Sequence, residues 1–230
     1  MSAPSLSTLL KSLKKHYGQP KPPVSRDPLE LVLWENVAYM ANDEKRAQAF
    51  ALLKKTVGLK AKQILAADHE KLVAVGRFGI VPFQSAKKLV RIAEIAHFIF
   101  HDDLRAAITG DVKSATKALR RFPSIGEPGA EKILLFAHAH KTFALDSNGM
   151  RVLHRYGLGE EKRQYAQTYR SVQQAVAGQL PAGFEPLIAA HLLLRQHGKE
   201  LCKTTRPLCQ ICPVVNQCRY GQDAARHNPV

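Results

Sequence analysis

A chain of 230 residues can bury a sizeable core and hold one or two domains. Its 34 Lys and Arg against 19 Asp and Glu leave a formal charge of +15, which favours a polyanionic partner through steering and counterion release. No apolar run reaches the length of a membrane span, and no basic amphipathic anchor or lipidation signal stands out, so nucleic acid rather than membrane is the expected partner. The first residues, MSAPSLSTLLKSLKKHYG, lack a signal-peptide core with a small-residue cleavage site. A cytoplasmic protein is therefore expected, near the nucleoid in a bacterium.

Residues 4–17 read as an amphipathic helix with Leu6, Leu9, Leu10 and Leu13 on one side. The stretch Gly18 to Arg26 holds three prolines and reads as a linker. Asp27-Pro28 then opens a helix over 27–42, with Asp as N-cap and Pro in the first turn. That helix is apolar nearly all round, so it is expected to be buried and central. Glu35 lies in it among the apolar Leu33, Trp34 and Val37, and apolar surroundings favour the protonated form of a carboxyl, which suits a proton donor. Helical patterns follow at 43–57, 59–66 and 68–75, a loop at Gly76 to Ala86, and further helices at 85–101 and 111–121.

Phe122-Pro123-Ser124-Ile125-Gly126-Glu127-Pro128-Gly129 separates two helices. Gly126 is expected to take a positive φ there. Backbone N–H groups at such a turn, beside a helix N-terminus, form an anion site, which makes Gly126 and Gly129 candidate DNA-binding positions. Asp146 ends an apolar run and precedes a helix at 147–155, the position of an N-cap. A helix at 162–179 follows, and then PLIAAHLLLRQHGKELC leads into the cysteines. With alternating strand patterns scarce, the fold class is all-α. The polar tail after Cys218 is expected to fray.

The only cysteines are Cys202, Cys209, Cys212 and Cys218, spaced C-x6-C-x2-C-x5-C. Disulfides are not expected without a sign of secretion. Cysteine zinc sites usually pair two tight C-x2-C knuckles, and here there is one. Uneven spacing suits four thiolates wrapped around a larger object, so a [4Fe–4S] cluster is favoured over zinc. Lys203 and Arg206 make this loop basic and a candidate phosphate-binding surface.

The cysteine spacing downstream of the 122–130 turn resembles the endonuclease III and MutY-type helix-hairpin-helix DNA glycosylases, over roughly residues 27 to 218. Their hairpin pattern is close to L-P-G-V-G-x-x-T-A. Here it reads F-P-S-I-G-E-P-G-A, with Ser124 at the first glycine and Pro128 where bifunctional members carry a Schiff-base lysine. The D-P-x-x-x-x-L-x-E pattern of the MutY type matches Asp27, Pro28, Leu33 and Glu35, and L-D-S-N-x-x-R-V places Asp146 at the catalytic aspartate.

The resemblance implies a two-lobed fold with a DNA-binding cleft: a six-helix barrel over 27–140, and a cluster domain from 1–26 and 141–230. It implies a monomeric enzyme of base-excision repair acting on DNA with a damaged or mismatched base. Asp146 would stabilise the sugar cation and help water attack, and Glu35 would protonate the leaving base. Tyr39, Ile80 and Val81 stand near positions from which the family wedges into DNA. Lys132, one turn beyond Pro128, is expected to be a solvated surface lysine, so lyase action is not expected. No counterpart follows of the domain with which MutY reads 8-oxoguanine, so that specificity is not expected, and the short mismatch thymine/uracil enzymes are similar in layout. The alternatives are a bifunctional glycosylase/AP lyase using another lysine, and a non-catalytic DNA-structure binder.

Overall fold

In a computed structural model, which describes residues 4–38 and 40–227, the chain is all-helical, with no strand among the described residues. Thirteen α-helices are described, and they fall into two compact units, residues 23–140 and residues 1–22 with 141–230. No described helix is long and apolar enough to cross a membrane.

In the 23–140 unit, α2 (Pro28–Asn36) starts as its sequence dictates. The Asp27 carboxylate accepts the Glu30 N–H at 3.0 Å and Pro28 fills the first turn. Leu31, Val32, Leu33 and Val37 are buried, so α2 is a core helix. It stops six residues earlier than its apolar pattern suggests. Met40 adopts a left-handed φ of 54°, and Asn42 caps the next helix by accepting the Lys45 N–H at 2.8 Å. A good cap three residues into a continuing apolar run ends one helix and begins another. Helix α2 packs on α3 (Asp43–Thr56) and α6 (Pro82–Glu94), and α4 (Ala61–Leu65) and α5 (His69–Gly76) pack on α6. Helix α6 begins at Pro82, before the expected position 85, and ends in a π-helical turn over Ile95–Ile99. A short helix, α7 (Leu104–Ile108), was not legible in the pattern.

Helices α8 (Val112–Leu119) and α9 (Glu127–Phe136) flank the hairpin. Phe122 to Ile125 forms a turn closed by the Ile125 N–H on the Phe122 carbonyl at 3.3 Å. Pro123 takes the second position and Ser124, with φ of 61°, the third, the type II arrangement that normally selects glycine there. The left-handed residue is thus Ser124. Gly126, expected in that conformation, is extended with φ −87° and ψ −174°. The side chains of Phe122 and Ile125 are buried and anchor the turn.

In the other unit, α1 (Leu6–Tyr17) lays Leu6, Leu9 and Leu13 against α12 (Phe184–Glu200). Helix α10 (Ser147–Tyr156) packs on α12, and α11 (Tyr165–Val176) packs on α10. The α10–α12 approach is close at one point. A Cβ on Gly198 would lie 2.7 Å from Asn148 Cβ and 2.8 Å from its carbonyl oxygen. The tail does not fray before His227. It forms α13 (Arg219–His227), with Tyr220 under the Arg155 guanidinium at 4.6 Å.

Two stability predictions follow from these backbones. Ser124→Gly relieves the left-handed serine and raises the unfolding free energy by about 1 kcal/mol, read by denaturant titration. Gly198→Ala has no room to settle, because the atoms it meets are backbone and Cβ of α10, and it lowers that free energy by about 2 kcal/mol.

Candidate functional site

Each unit carries a charged constellation, and each is built locally. In the first, Asp146 is the N-cap of α10. Its Oδ1 accepts the Gly149 N–H at 2.8 Å, and its Oδ2 accepts from Asn148 Nδ2 at 3.2 Å and lies 3.2 Å from Arg195 Nε. Burial by itself would push this carboxyl up. The Gly149 N–H, His191, Asn148 and Arg195 outweigh burial and hold it below the ordinary aspartate value of 3.8. A carboxylate that is both withdrawn from water and kept ionised is poised to stabilise positive charge.

The residues that hold it are themselves held. Arg151 donates to Asn148 Oδ1, to the Gly198 carbonyl and to the Cys202 carbonyl, at 2.9, 2.8 and 2.8 Å. Buried His191 bonds the Ala144 carbonyl at 2.9 Å, just ahead of the cap. Tyr165 stacks on Tyr169, and its phenol is raised by burial and then by Asp146. Sequence reasoning missed Arg195, His191 and Tyr165, since a lone Arg, His or Tyr on an amphipathic helix carries no motif.

Further along this unit, the four cysteines are free thiols that border one cavity walled by Val152, Leu201 and Val214. Burial pushes the Cys209 and Cys212 thiols up and the Cys218 thiol to about 11. Bare thiolates are therefore costly here, and a cationic core among them offsets that cost. Among the described residues, no three His, Cys, Asp or Glu converge closely enough for a single metal ion. Four soft sulfurs around one shared cavity fit a group larger than one ion.

The loop is braced by Arg155, which lies 3.6 Å from Cys202 Sγ and donates to the Lys203 and Thr204 carbonyls. Buried His197 lies 3.0 Å from the Tyr17 hydroxyl through Nδ1 and 3.6 Å from Cys212 Sγ through Nε2. Burial, and then His16, pulls His197 down to about 4, so its ring is neutral. The tautomer protonated at Nε2 satisfies both contacts. Lys203 and Arg206 are exposed on the loop.

In the 23–140 unit, Glu35 is not a lone acid among apolar neighbours. Its Oε2 accepts from Lys132 Nζ at 2.7 Å, with both side chains 19% exposed. Lys132 is accordingly not a solvated surface lysine: α9 points it back at α2. Glu35, Asn36, Met40, Arg46, Lys88 and Ser124 line one cavity, with Lys88 Nζ donating to Ser124 Oγ at 3.0 Å. Gly126 and Glu127 are exposed at the start of α9, which has no side-chain cap, so its first N–H groups are left for an outside acceptor. A Cβ on Gly126 would meet nothing closer than Pro128 Cδ at 3.9 Å, and one on Gly129 nothing closer than Ile125 Cγ2 at 3.7 Å. The fold itself requires neither glycine.

Ile80 stands 65% exposed and Val81, the N-cap of α6, is half-buried. Phe83 beside them, missed in the sequence, is equally exposed and stacks on His69. Tyr39 lies outside the described residues.

An all-α chain with a hairpin between two helices, a half-buried ionised aspartate and a four-cysteine loop defines a class, and the comparisons with known proteins agree. The chain is 25% identical over 201 residues to endonuclease III of Sulfolobus acidocaldarius, covering 86% of this chain and 85% of that one. It superposes on a trapped endonuclease III–DNA covalent intermediate with a TM-score of 0.73 at 19% identity, covering 98% and 100% of the two chains. A thermostable thymine-DNA glycosylase gives 0.74 at 17% identity, over 95% and 97%. No protein-family model matches the chain. In sequence and in fold the chain is thus similar to endonuclease III and to DNA repair glycosylases.

The Asp146 cap can be separated from its charge. Asp146→Ala loses the cap and lowers stability by about 1 kcal/mol, whereas Asp146→Asn, an equally good capping residue, stays within a few tenths of the parent. Paired denaturant titrations of the two variants check this.

Proposed function

We propose that the chain is a monofunctional DNA N-glycosylase of base-excision repair, acting on duplex DNA that carries a damaged or mismatched base. The observation that carries this reading is Asp146, half-buried and held ionised by the Gly149 N–H and Arg195. Breaking an N-glycosidic bond builds positive charge at the sugar, and a fixed anion lowers the barrier to it. Water then adds at C1′, its proton passing to the carboxylate, while the base departs with the bonding electrons. Within the 23–140 unit, the Glu35–Lys132 couple is a second group able to move a proton.

The uncapped start of α9, the exposed Lys203 and Arg206, and the +15 charge supply the phosphate contacts of this reading. In it, the four cysteines would hold a [4Fe–4S] cluster whose cationic core offsets part of their thiolate charge. Pro128 supplies no amine at the position of the family's Schiff-base lysine, which favours hydrolysis over lyase chemistry.

A second reading has one observation in its favour. Lys132 is an amine held 2.7 Å from a carboxylate, an arrangement that can activate a nucleophile. In that case the enzyme is bifunctional.

End-labelled duplexes carrying a lesion panel, each reaction developed with and without alkali, separate the two. Hydrolysis gives breaks only after alkali, and Asp146→Asn lowers base release by about a hundredfold or more. Full base release by Asp146→Asn would falsify the assignment of that residue. A borohydride-trapped protein–DNA adduct that disappears in Lys132→Ala would establish the bifunctional reading instead.

A further inference from the structure

With the four cysteines read as the ligands of an iron–sulfur cluster, the side chains behind them acquire a task. A thiolate ligand carries negative charge on sulfur, and donors that meet it from behind orient it and keep the bound group from leaving. Arg155 does this for Cys202, with its Nη1 3.6 Å from the sulfur. Cys212 is served differently, by two side chains in series that begin in α1.

His197 lies in the last turn of α12 and is 1% exposed. It touches the cysteine loop twice. Its carbonyl accepts the Cys202 N–H at 2.8 Å, and its ring lies 3.6 Å from Cys212 Sγ through Nε2. On the other side of the ring, Nδ1 lies 3.0 Å from the Tyr17 hydroxyl, and the two rings meet edge to face with centroids 5.9 Å apart.

Ligation fixes the direction of these bonds. A Cys212 thiol can donate to Nε2, but a thiolate has no hydrogen and can only accept. Nε2 must then carry the hydrogen, Nδ1 becomes the acceptor, and its donor is the Tyr17 O–H. Burial, and then the Glu200 carboxylate, raise the Tyr17 phenol, so it keeps the proton it has to donate. Without that hydroxyl the ring loses what selects this tautomer over the one that turns its hydrogen away from sulfur.

Docking of α1 does not call for a tyrosine at this position. Leu6, Leu9 and Leu13 pack the helix on α12, and Gln179 Oε1 accepts the Leu6 N–H at 2.8 Å. Tyr17 is the last residue of α1, 180 positions ahead of His197, and its hydroxyl brings that helix to the cysteine loop.

We propose that Tyr17 and His197 are positioning residues of the cofactor site: Tyr17 holds His197 in the tautomer whose Nε2–H meets the Cys212 thiolate, and through this pair α1 sets how firmly the cluster is retained. The N-terminal helix is then a working part of the cysteine loop, although it carries no ligand.

The test uses the full chain purified without oxygen, as wild type, Tyr17→Phe, His197→Leu and His197→Gln. Tyr17→Phe keeps the ring and removes only the hydroxyl, and the Gln amide restores an N–H near the place of Nε2. Iron and sulfide are quantified first, and thermal melts establish that each variant folds. Cluster loss is followed as the decay of sulfur-to-iron charge-transfer absorbance in excess chelator. Resonance Raman spectra of protein prepared in ordinary and in heavy water read the N–H on sulfur directly, as an isotope shift of the iron–sulfur stretches.

His197→Leu is expected to lose the cluster about tenfold faster than the wild type or more. Tyr17→Phe loses it faster as well, and His197→Gln recovers most of the retention. The isotope shift shrinks in His197→Leu and Tyr17→Phe and returns in His197→Gln. Should His197→Leu fail to fold, Tyr17→Phe alone decides. A Tyr17→Phe protein with the parent's decay rate and isotope shift overturns the inference. So does equally fast loss from His197→Leu and His197→Gln with the isotope shift unchanged, which is how a residue that only fills space behaves. A wild type that carries zinc, or neither iron nor sulfide, overturns the cluster reading itself.

Discussion

The half-buried charge on Asp146 sets the terms for its whole unit. An ionised carboxylate withdrawn from water is tolerated only when donors replace its hydration. Here the donors come from two helices. Gly149 and Asn148 belong to the first turn of α10, and Arg195 belongs to α12. They converge only if α10 begins hard against α12, and the absent side chain of Gly198 makes that approach possible. Arg151 then ties the same junction to the Cys202 carbonyl, at the first residue of the cysteine loop. The carboxylate and the cysteine loop are thus braced by one arginine, and a disturbance of either reaches the other through it.

The 23–140 unit places its functional groups by a different device. Its hairpin holds Ser124 in the left-handed region, a conformation that costs a residue with a side chain about 1 kcal/mol. The buried anchors Phe122 and Ile125 over-determine the turn and keep it there. The serine hydroxyl thereby meets Lys88, and the turn delivers α9 at the angle from which Lys132 reaches Glu35.

Much of this was legible in the sequence, where single residues have local causes. Asp27 and Asp146 announce themselves as caps because an aspartate ahead of an apolar run needs only its own backbone to act. The all-helical class follows from periodicity, and the hairpin from its prolines and glycines. What stayed hidden depends on pairing across the chain. Arg195 is an unremarkable arginine until α12 is laid on α10. The Glu35–Lys132 pair joins residues 97 positions apart, so a lone acid on an apolar helix was read as unpartnered. The glycine reading failed for a related reason: the pattern locates a left-handed residue in the turn, but only the closed backbone shows that Ser124, not Gly126, occupies it.

The pairing of Glu35 changes the chemistry that can be asked of it. A free, protonated glutamic acid hands its proton to a purine nitrogen, and purine excision generally leans on such help. Glu35 is instead paired with Lys132 Nζ at 2.7 Å, so the two side chains act together. Bases rich in carbonyl oxygen need less help, because the departing ring spreads negative charge over those oxygens and can leave before it is protonated. With its lysine in place, Glu35 is one half of a charged couple and not a lone acid.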